Sequence, residues 1–313
     1  MVPDIAERPV PDVRHPVPGA RAAEWPTLLV AAAIYASFGA LTWFYHELPW
    51  WLILPAGAYL VAWHGSLQHE AIHGHPTRWR RLNELLVSPS LSLWLPYRVY
   101  HDTHIAHHRE QGLTDPLEDP ESYYMTAEQW GGCGRGMRCL LRIRNTVTGR
   151  LLFGPLLAVW GLWRRELPRL LRGERGTGKA WRLHVPACGV VLLWVVAVCD
   201  IPLEEFILFF AYPGTALTLL RSFAEHQAAT DPQHRSVVVE AAWPMALLYL
   251  NNNLHALHHR EPGRPWYALP SRYRDQRHAI LTANGGYRFR GYAELIARYL
   301  LWPKDAVVHP NLQ

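Results

Sequence analysis

Three short motifs hold eight of the eighteen histidines in this 313-residue chain. His69-Glu70-Ala71-Ile72-His73 is an HExxH pattern, in which two helical imidazoles can hold zinc and the glutamate can act as general base. The stretch HDTHIAHH contains His104, His107 and His108 as HxxHH, and NNNLHALHH repeats that spacing with His255, His258 and His259. Residues three and four apart share a helix face, so each motif is expected to point its imidazoles in one direction. Imidazole suits iron, copper, zinc and nickel. The four cysteines (Cys133, Cys139, Cys188, Cys199) form no CxxC pair and read as reduced structural thiols. Eight imidazoles exceed what one catalytic zinc with three protein ligands can use. Two metal ions use them economically, whereas a lone HExxH site would leave both HxxHH motifs without a purpose and crowd unpaired imidazoles together.

The elements that must position these motifs read as membrane helices. Half the residues are apolar, fifteen are Trp, and long apolar blocks alternate with Arg-rich loops. Four blocks are candidate spans, Pro26 to Tyr45, Pro49 to Trp63, Leu183 to Cys199 and Ile201 to Leu220, against the ~20 residues a helix needs to cross ~30 Å of hydrocarbon. The second and third are short, and each can continue as helix beyond its apolar run. Tight polar turns, His46-Glu47-Leu48-Pro49 and Asp200-Ile201-Pro202, join the blocks into two hairpins; buried helices of a soluble protein are the alternative. The fold class expected is an all-α membrane protein: four transmembrane helices in two hairpins under a cytoplasmic helical cap, residues 64–182 and 221–313, that carries the metals. Residues 1–25 read as a loosely ordered cytoplasmic arm without a secretory signal, and residues 26–313 as one integral membrane domain whose first span is an uncleaved anchor.

Orientation follows the basic residues. Neither hairpin tip carries Lys or Arg, whereas the arm (Arg8, Arg14, Arg21), the middle segment and the C-terminal region are basic. Both termini and the metal site are therefore expected on the cytoplasmic side. The net charge of +5 suits contact with anionic lipid, and no nucleic-acid motif is visible. Leu151 to Trp163 reads as an interfacial helix bordering a substrate entrance, and Leu85 to Leu95 as a short surface or re-entrant helix under the metals, unless both are packing elements of the cap.

The three boxes, their order and the hairpin before the third resemble the membrane fatty acid desaturase family, over roughly Pro26 to Tyr273. Tyr97-Arg98-Val99-Tyr100 and Asp115-Pro116 around the second box, and Pro262, Pro265-Trp266-Tyr267 and Leu269-Pro270 after the third, are similar to that family's surroundings. The details look most like the bacterial branch that includes the dihydrorhizobitoxine desaturases. The resemblance implies a di-iron centre and a ninth ligand just after the fourth span. Arg221-Ser222-Phe223-Ala224-Glu225-His226 falls there, so the implied ligands are His69, His73, His104, His107, His108, His226, His255, His258 and His259. In animal acyl-CoA desaturases an Asn four residues before the ninth histidine contacts one iron through water; Ser222 stands there in this chain.

Among the acids, Glu70 moves from presumed base to a residue that orients a histidine. Asp102, Asp115, Ser222 and Glu225 are the other candidates for supporting ligand rings; Asp119 is at least as readily a cap or loop charge. His64, His75 and His101 are expected in packing near the boxes, and His15, His46, His184, His234, His278 and His309 at solvated or headgroup positions. The function expected is O₂-dependent desaturation of an aliphatic, fatty acyl type chain. Its cofactors are two irons, its co-substrate is O₂, and its two electrons come from a separate ferredoxin or haem protein with a reductase. Arg135, Arg138, Arg142, Arg144, Arg164, Arg165 and Arg169 could dock that donor or meet lipid headgroups. The alternatives are a di-iron hydroxylase, an intramembrane HExxH zinc protease and a histidine-rich metal transporter or sensor.

Overall fold

A computed structural model describes residues 23–108 and 112–312, and these are mostly helical. Most of the expected N-terminal arm, with Arg8, Arg14, His15 and Arg21, lies outside the described residues. Ala23 and Glu24 do not form a loose arm: the Glu24 N–H donates to Pro76 O (2.9 Å), and His75 Nδ1 donates to the Glu24 carboxylate (2.7 Å).

Helix α1 (Trp25–Trp43) carries Pro26 in its first turn, where the missing N–H costs nothing. Helix α2 (Trp50–Ile72) runs nine residues beyond the Pro49 to Trp63 block. Short helices α3 (Arg80–Val87) and α4 (Tyr97–His107) follow, then α5 (Ala127–Gly131) and α6 (Arg135–Arg144). Next come the long α7 (Val147–Leu171) and α8 (Arg175–Leu192), which continues as π-helix to Val198. Helices α9 (Leu203–Phe206) and α10 (Tyr212–Glu225) join through a π-helical stretch into one rod. The C-terminal third contributes α11 (Trp243–Leu248), α12 (His255–Arg260), α13 (Leu269–Ala283) and α14 (Tyr292–Tyr299). Two short parallel strands, β1 (Val238–Val239) and β2 (Arg288–Phe289), tie this third together.

Three helices, Trp25–Trp43, Arg175–Val198 and Leu203–Glu225, are long and apolar enough to cross a membrane. They match the first, third and fourth expected blocks, the third starting eight residues earlier than Leu183. Helix α2 is not among them, because its second half is polar. That half is nonetheless buried, and apart from the His69 ring several of its polar side chains are paired: Ser66 Oγ donates to Leu248 O (2.7 Å), Gln68 Nε2 to Val87 O (3.1 Å), and Glu70 accepts the Trp266 N–H (3.2 Å). Tyr45 and His46 at the first hairpin tip bond Glu205 and the Cys199 carbonyl, which holds the two hairpins together at that end. Exposed Trp25, Trp43, Trp50 and Trp51 sit at the ends of α1 and α2, where indole rings suit a headgroup layer.

Two sequence expectations change here. The segment after Val87 is not a helix: it turns irregularly, with Leu93 in the left-handed region (φ 66°) and its carbonyl accepting from His184 Nε2 (3.0 Å). His184 is thus buried and bonded rather than solvated. Leu151 to Trp163 does lie in a helix with exposed Leu152, Leu156 and Trp160, but α7 is twice as long as that block and buries Arg150 and Glu166.

The α2–α10 crossing sets where the boxes hang, and it is close because of two glycines. A Cβ on Gly214 would come within 2.4 Å of Val61 Cβ, and one on Gly57 within 2.8 Å of the Phe209 carbonyl oxygen. Small residues permit such approach between membrane helices. Gly214→Val is expected to lower stability by about 1–3 kcal/mol through overpacking, read as a lower melting temperature in detergent, whereas Gly39→Ala, with open space around it, should leave the melting temperature unchanged.

Candidate metal centre

Four elements deliver histidines to one place under the helix ends. The last turn of α2 carries His69 and, as its C-cap, His73. Helix α4 begins after Pro96 and presents His104, His107 and the C-cap His108. Helix α10 ends at Glu225, and His226 follows in extended conformation (φ −131°, ψ 147°), fixed by a bridge to Ser236. Helix α12 carries His255, His258 and His259.

The nine rings form two groups. His69, His73, His104, His108 and His258 offer nitrogens that all lie within 4.8 Å of one another, and His107, His226, His255 and His259 do the same. Each HxxHH motif is therefore split, contrary to the expectation that it points one way. His104 and His108, four apart, enter the first group while His107 enters the second; His255 and His259 enter the second while His258 enters the first. Adjacent residues are a large rotation apart on a helix, so neighbouring histidines reach two centres about one axis.

The surroundings settle which nitrogen of several rings carries the proton. His107 Nδ1 lies 2.9 Å from both oxygens of Asp119. His226 Nδ1 faces the Arg235 carbonyl at 3.3 Å, and His255 Nδ1 faces Asn252 Oδ1 at 3.1 Å and Glu225 Oε1 at 3.4 Å. Those partners accept, so Nδ1 donates and Nε2 of each neutral ring is a bare lone pair. Yet Nε2 of His226 is 3.0 Å from that of His107 and 2.9 Å from that of His255. In the other group His104 Nδ1 faces Glu121 at 3.3 Å, leaving its Nε2 at 3.2 Å from His73 Nε2 and 3.0 Å from His108 Nε2. His69 Nε2 is buried with no hydrogen-bond partner. Lone pairs at such distances repel unless a cation lies among them, so both donor sets fit metal ions.

Burial also favours the uncharged, ligating form. Desolvation, helped by neighbouring histidines, pushes His104, His108, His258 and His259 well below the ordinary imidazole range. His107 is the exception: burial opposes its charge, but Asp119 and Glu121 outweigh that and hold it up at about 9. A metal at the four-histidine group therefore displaces a proton from His107 at neutral pH.

The supporting acids differ from those expected. Glu225 is in place, held by Arg221 Nε (2.9 Å) and Asn252 Nδ2 (2.8 Å) behind His255. Asp102 faces His101 Nδ1 (2.9 Å), which belongs to neither group. Asp115 accepts the Leu117 N–H in a turn (2.8 Å). Ser222 Oγ accepts from Arg150 Nη2 (3.2 Å) and donates to Leu219 O (3.3 Å), away from the rings. Glu70 bonds the Trp266 N–H and no ring of either group. Asp119, expected at least as readily as a loop charge, is the most direct ring partner, and Glu121 and Asn252 were missed. The Asn run before the third box was the available signal. Asn251 Nδ2 bonds Trp266 O (3.0 Å), Asn253 Nδ2 bonds Val239 O (2.7 Å), and Leu250 and Asn251 take left-handed φ to start α12 at the required angle. His309 is also not solvated: it is fully buried, its Nε2 3.0 Å from Thr114 Oγ1.

Several Arg residues expected on a docking surface are engaged within the chain. Arg144 donates to the Tyr123 carbonyl, Arg138 to the carbonyls of Trp130 and Gly131, and Arg165 and Arg169 flank the buried Glu166. Removing the Asp119 carboxylate while keeping its shape tests the support of His107. Asp119→Asn is expected to weaken metal retention about 10–100-fold, read as iron left after chelator challenge, while exposed His278→Ala on α13 should change nothing.

Comparison with known proteins agrees with this geometry. No curated protein matches the chain. The model of the family described as fatty acid desaturase matches residues 46–291, which include all nine histidines and leave out α1, α14 and the C-terminal segment. The match covers more than half of the chain, and with the paired histidine groups it leads to one conclusion: this chain belongs to the fatty acid desaturase family, a family of oxidoreductase enzymes.

Proposed function

We propose that the chain is an O₂-dependent di-iron desaturase that places a double bond in an aliphatic chain, with a fatty acyl group as the expected substrate. The observation that carries this reading is the division of nine imidazoles, six buried and three half-buried, into groups of five and four with no cysteine among them. His69, His73, His104, His108 and His258 would hold one iron, and His107, His226, His255 and His259 the other. A reduced iron pair supplies, with O₂, the oxidising power to remove hydrogen from an unactivated C–H bond.

The chain's own residues hold, orient and shield. Asp119, Asn252 with Glu225, and the Arg235 carbonyl keep a proton on Nδ1 of His107, His255 and His226, so that Nε2 faces inward. Burial of His69, His104, His107, His255 and His258 keeps bulk water from the reacting carbon. The four-histidine group has one imidazole fewer, which leaves more room there for a small exogenous ligand.

Placement rests on charge and hydropathy. Three apolar helices, with α2 as a proposed fourth span whose polar end would reach out of the bilayer, support a reading in which the boxes lie at one membrane face. The absence of Lys and Arg at the hairpin tips supports a cytoplasmic site, and a bacterial inner membrane is the setting we propose. Two electrons per turnover would arrive from a separate ferredoxin or haem protein with its reductase. A hydroxylase uses the same parts and differs in product. Glu70, which bonds backbone rather than a metal-facing ring, argues against the protease reading.

The test is a reconstituted reaction of the full chain in lipid with a ferredoxin system and acyl substrates. An alkene product, with one O₂ and two electrons consumed per turnover, is expected; an alcohol as sole product would favour the hydroxylase. Glu70→Gln preserves an acceptor for Trp266 and should keep iron and most of the activity, whereas loss of all activity with iron retained would give Glu70 a chemical role.

A further inference from the structure

Residues 300–312 lie beyond the stretch that matches the family, yet they are laced into the metal centre. The Thr148 N–H donates to Leu300 O (3.1 Å), Lys304 N–H to Asn145 O (2.8 Å), Met125 N–H to Val307 O (2.9 Å) and His309 N–H to Met125 O (3.0 Å). The segment is a strap rather than a free tail, and it touches the site at two points.

At the first point the Lys304 side chain is 2 % exposed. Its ammonium donates to the backbone carbonyl of His226 and to Tyr287 Oη (3.2 Å), beside the Asp305 carboxylate at 3.3 Å and 5.3 Å from the centre of the Phe223 ring. Tyr123 Oη donates to that same carbonyl (3.2 Å), and Asp305 in turn accepts from Tyr124 Oη. At the second point His309, its Nδ1 accepting the Asn311 N–H (3.3 Å), donates through Nε2 to Thr114 Oγ1 (3.0 Å). The Thr114 N–H donates to Asp119 Oδ2 (2.9 Å), the carboxylate that holds His107. His226 and His107 both belong to the four-histidine group; a ring of the five-histidine group, His104, is reached only one residue further on, through Glu121, whose N–H donates to Asp119 Oδ1 (2.8 Å).

We infer that the C-terminal strap selectively builds the four-histidine half of the centre, with Lys304 as a positioning residue that fixes His226 through its backbone carbonyl. A buried ammonium is costly to place unless its hydrogen bonds and counter-charge are all supplied, and here a carbonyl, a phenol and a carboxylate supply them around one ligand. Without that anchor the carbonyl of the extended residue 226 keeps only the Tyr123 hydrogen bond, beside the residue's bridge to Ser236 and its ring's contact with the Arg235 carbonyl. The inference rests on the two-metal reading above.

The experiment uses the full chain, purified anaerobically in detergent and enriched in ⁵⁷Fe, with Mössbauer spectra recorded during challenge by a ferrous chelator. For Lys304→Met the expected result is that one of two irons leaves about 10–100-fold faster than in the natural chain, that only one quadrupole doublet fades, and that Lys304→Arg restores retention. Lys304→Gln, which keeps a donor without the charge, serves if the Met variant does not fold. Equal loss of both irons alongside a lower melting temperature would mean the strap merely stabilises the fold, and unchanged retention would mean Lys304 positions nothing; either overturns the inference while leaving the two-metal reading intact. A natural chain that holds fewer than two irons overturns that reading and the inference together.

Discussion

Crowded imidazole lone pairs are the constraint that the rest of this molecule is built around. Nε2 of His226 lies about as close to two neighbouring Nε2 atoms as hydrogen-bonded groups lie, yet the three rings spend their protons on Nδ1 partners facing the other way. The second proton that His107 holds in the bare protein relieves only its contact with His226, so the arrangement as a whole is unfavourable there and favourable around a metal cation. It therefore needs a scaffold that holds the rings in place independently of the metal. The α2–α10 crossing, closed by Gly57 and Gly214, fixes the helix ends from which the first box and His226 hang. The three asparagines before α12 and the left-handed pair Leu250 and Asn251 do the same for the third box.

Charge is arranged in layers around the rings. Asp119, Glu121 and Glu225 stand directly behind ring nitrogens, Arg221 pairs with Glu225, and Lys304, paired with Asp305, holds the His226 carbonyl. Anionic supports strengthen imidazole as a ligand, and the outer cations make the buried carboxylates tolerable. A change in a residue that never touches a metal can thus act on one, by releasing the proton or the carbonyl that orients a ring.

Much of this was visible in the sequence. The three histidine boxes stand out because four-residue spacing on a helix is a strong pattern, and three of the four apolar blocks stand out because lipid-facing helices need uninterrupted apolar runs. The continuation of α2 beyond its apolar run was allowed for, but its end was not visible, because the last nine residues mix His, Ser, Gln and Glu with Leu, Ala and Ile and are nearly all buried, which hydropathy does not register. The split of each HxxHH motif between two groups was missed because shared-face reasoning ignores what adjacent residues can reach on opposite sides of one axis. His226 came from resemblance to the family, since a lone histidine carries no pattern. Asp102, Asp115 and Ser222 were near the boxes in sequence and turn elsewhere, while Asp119 and Glu121 reach back from an irregular loop. Lys304 and His309 had no periodicity to betray them; only the folded strap shows what they face.

The account stands on two metal ions held by two separate sets of histidines. The most direct measurement is iron and zinc per chain in anaerobically purified protein, for the natural sequence and for His258→Ala and His259→Ala, adjacent residues assigned to different groups. Two irons in the natural chain, with each substitution disturbing a different one of two spectroscopically distinct sites, is the predicted result. A single zinc, or identical effects of the two substitutions on one site, would contradict it.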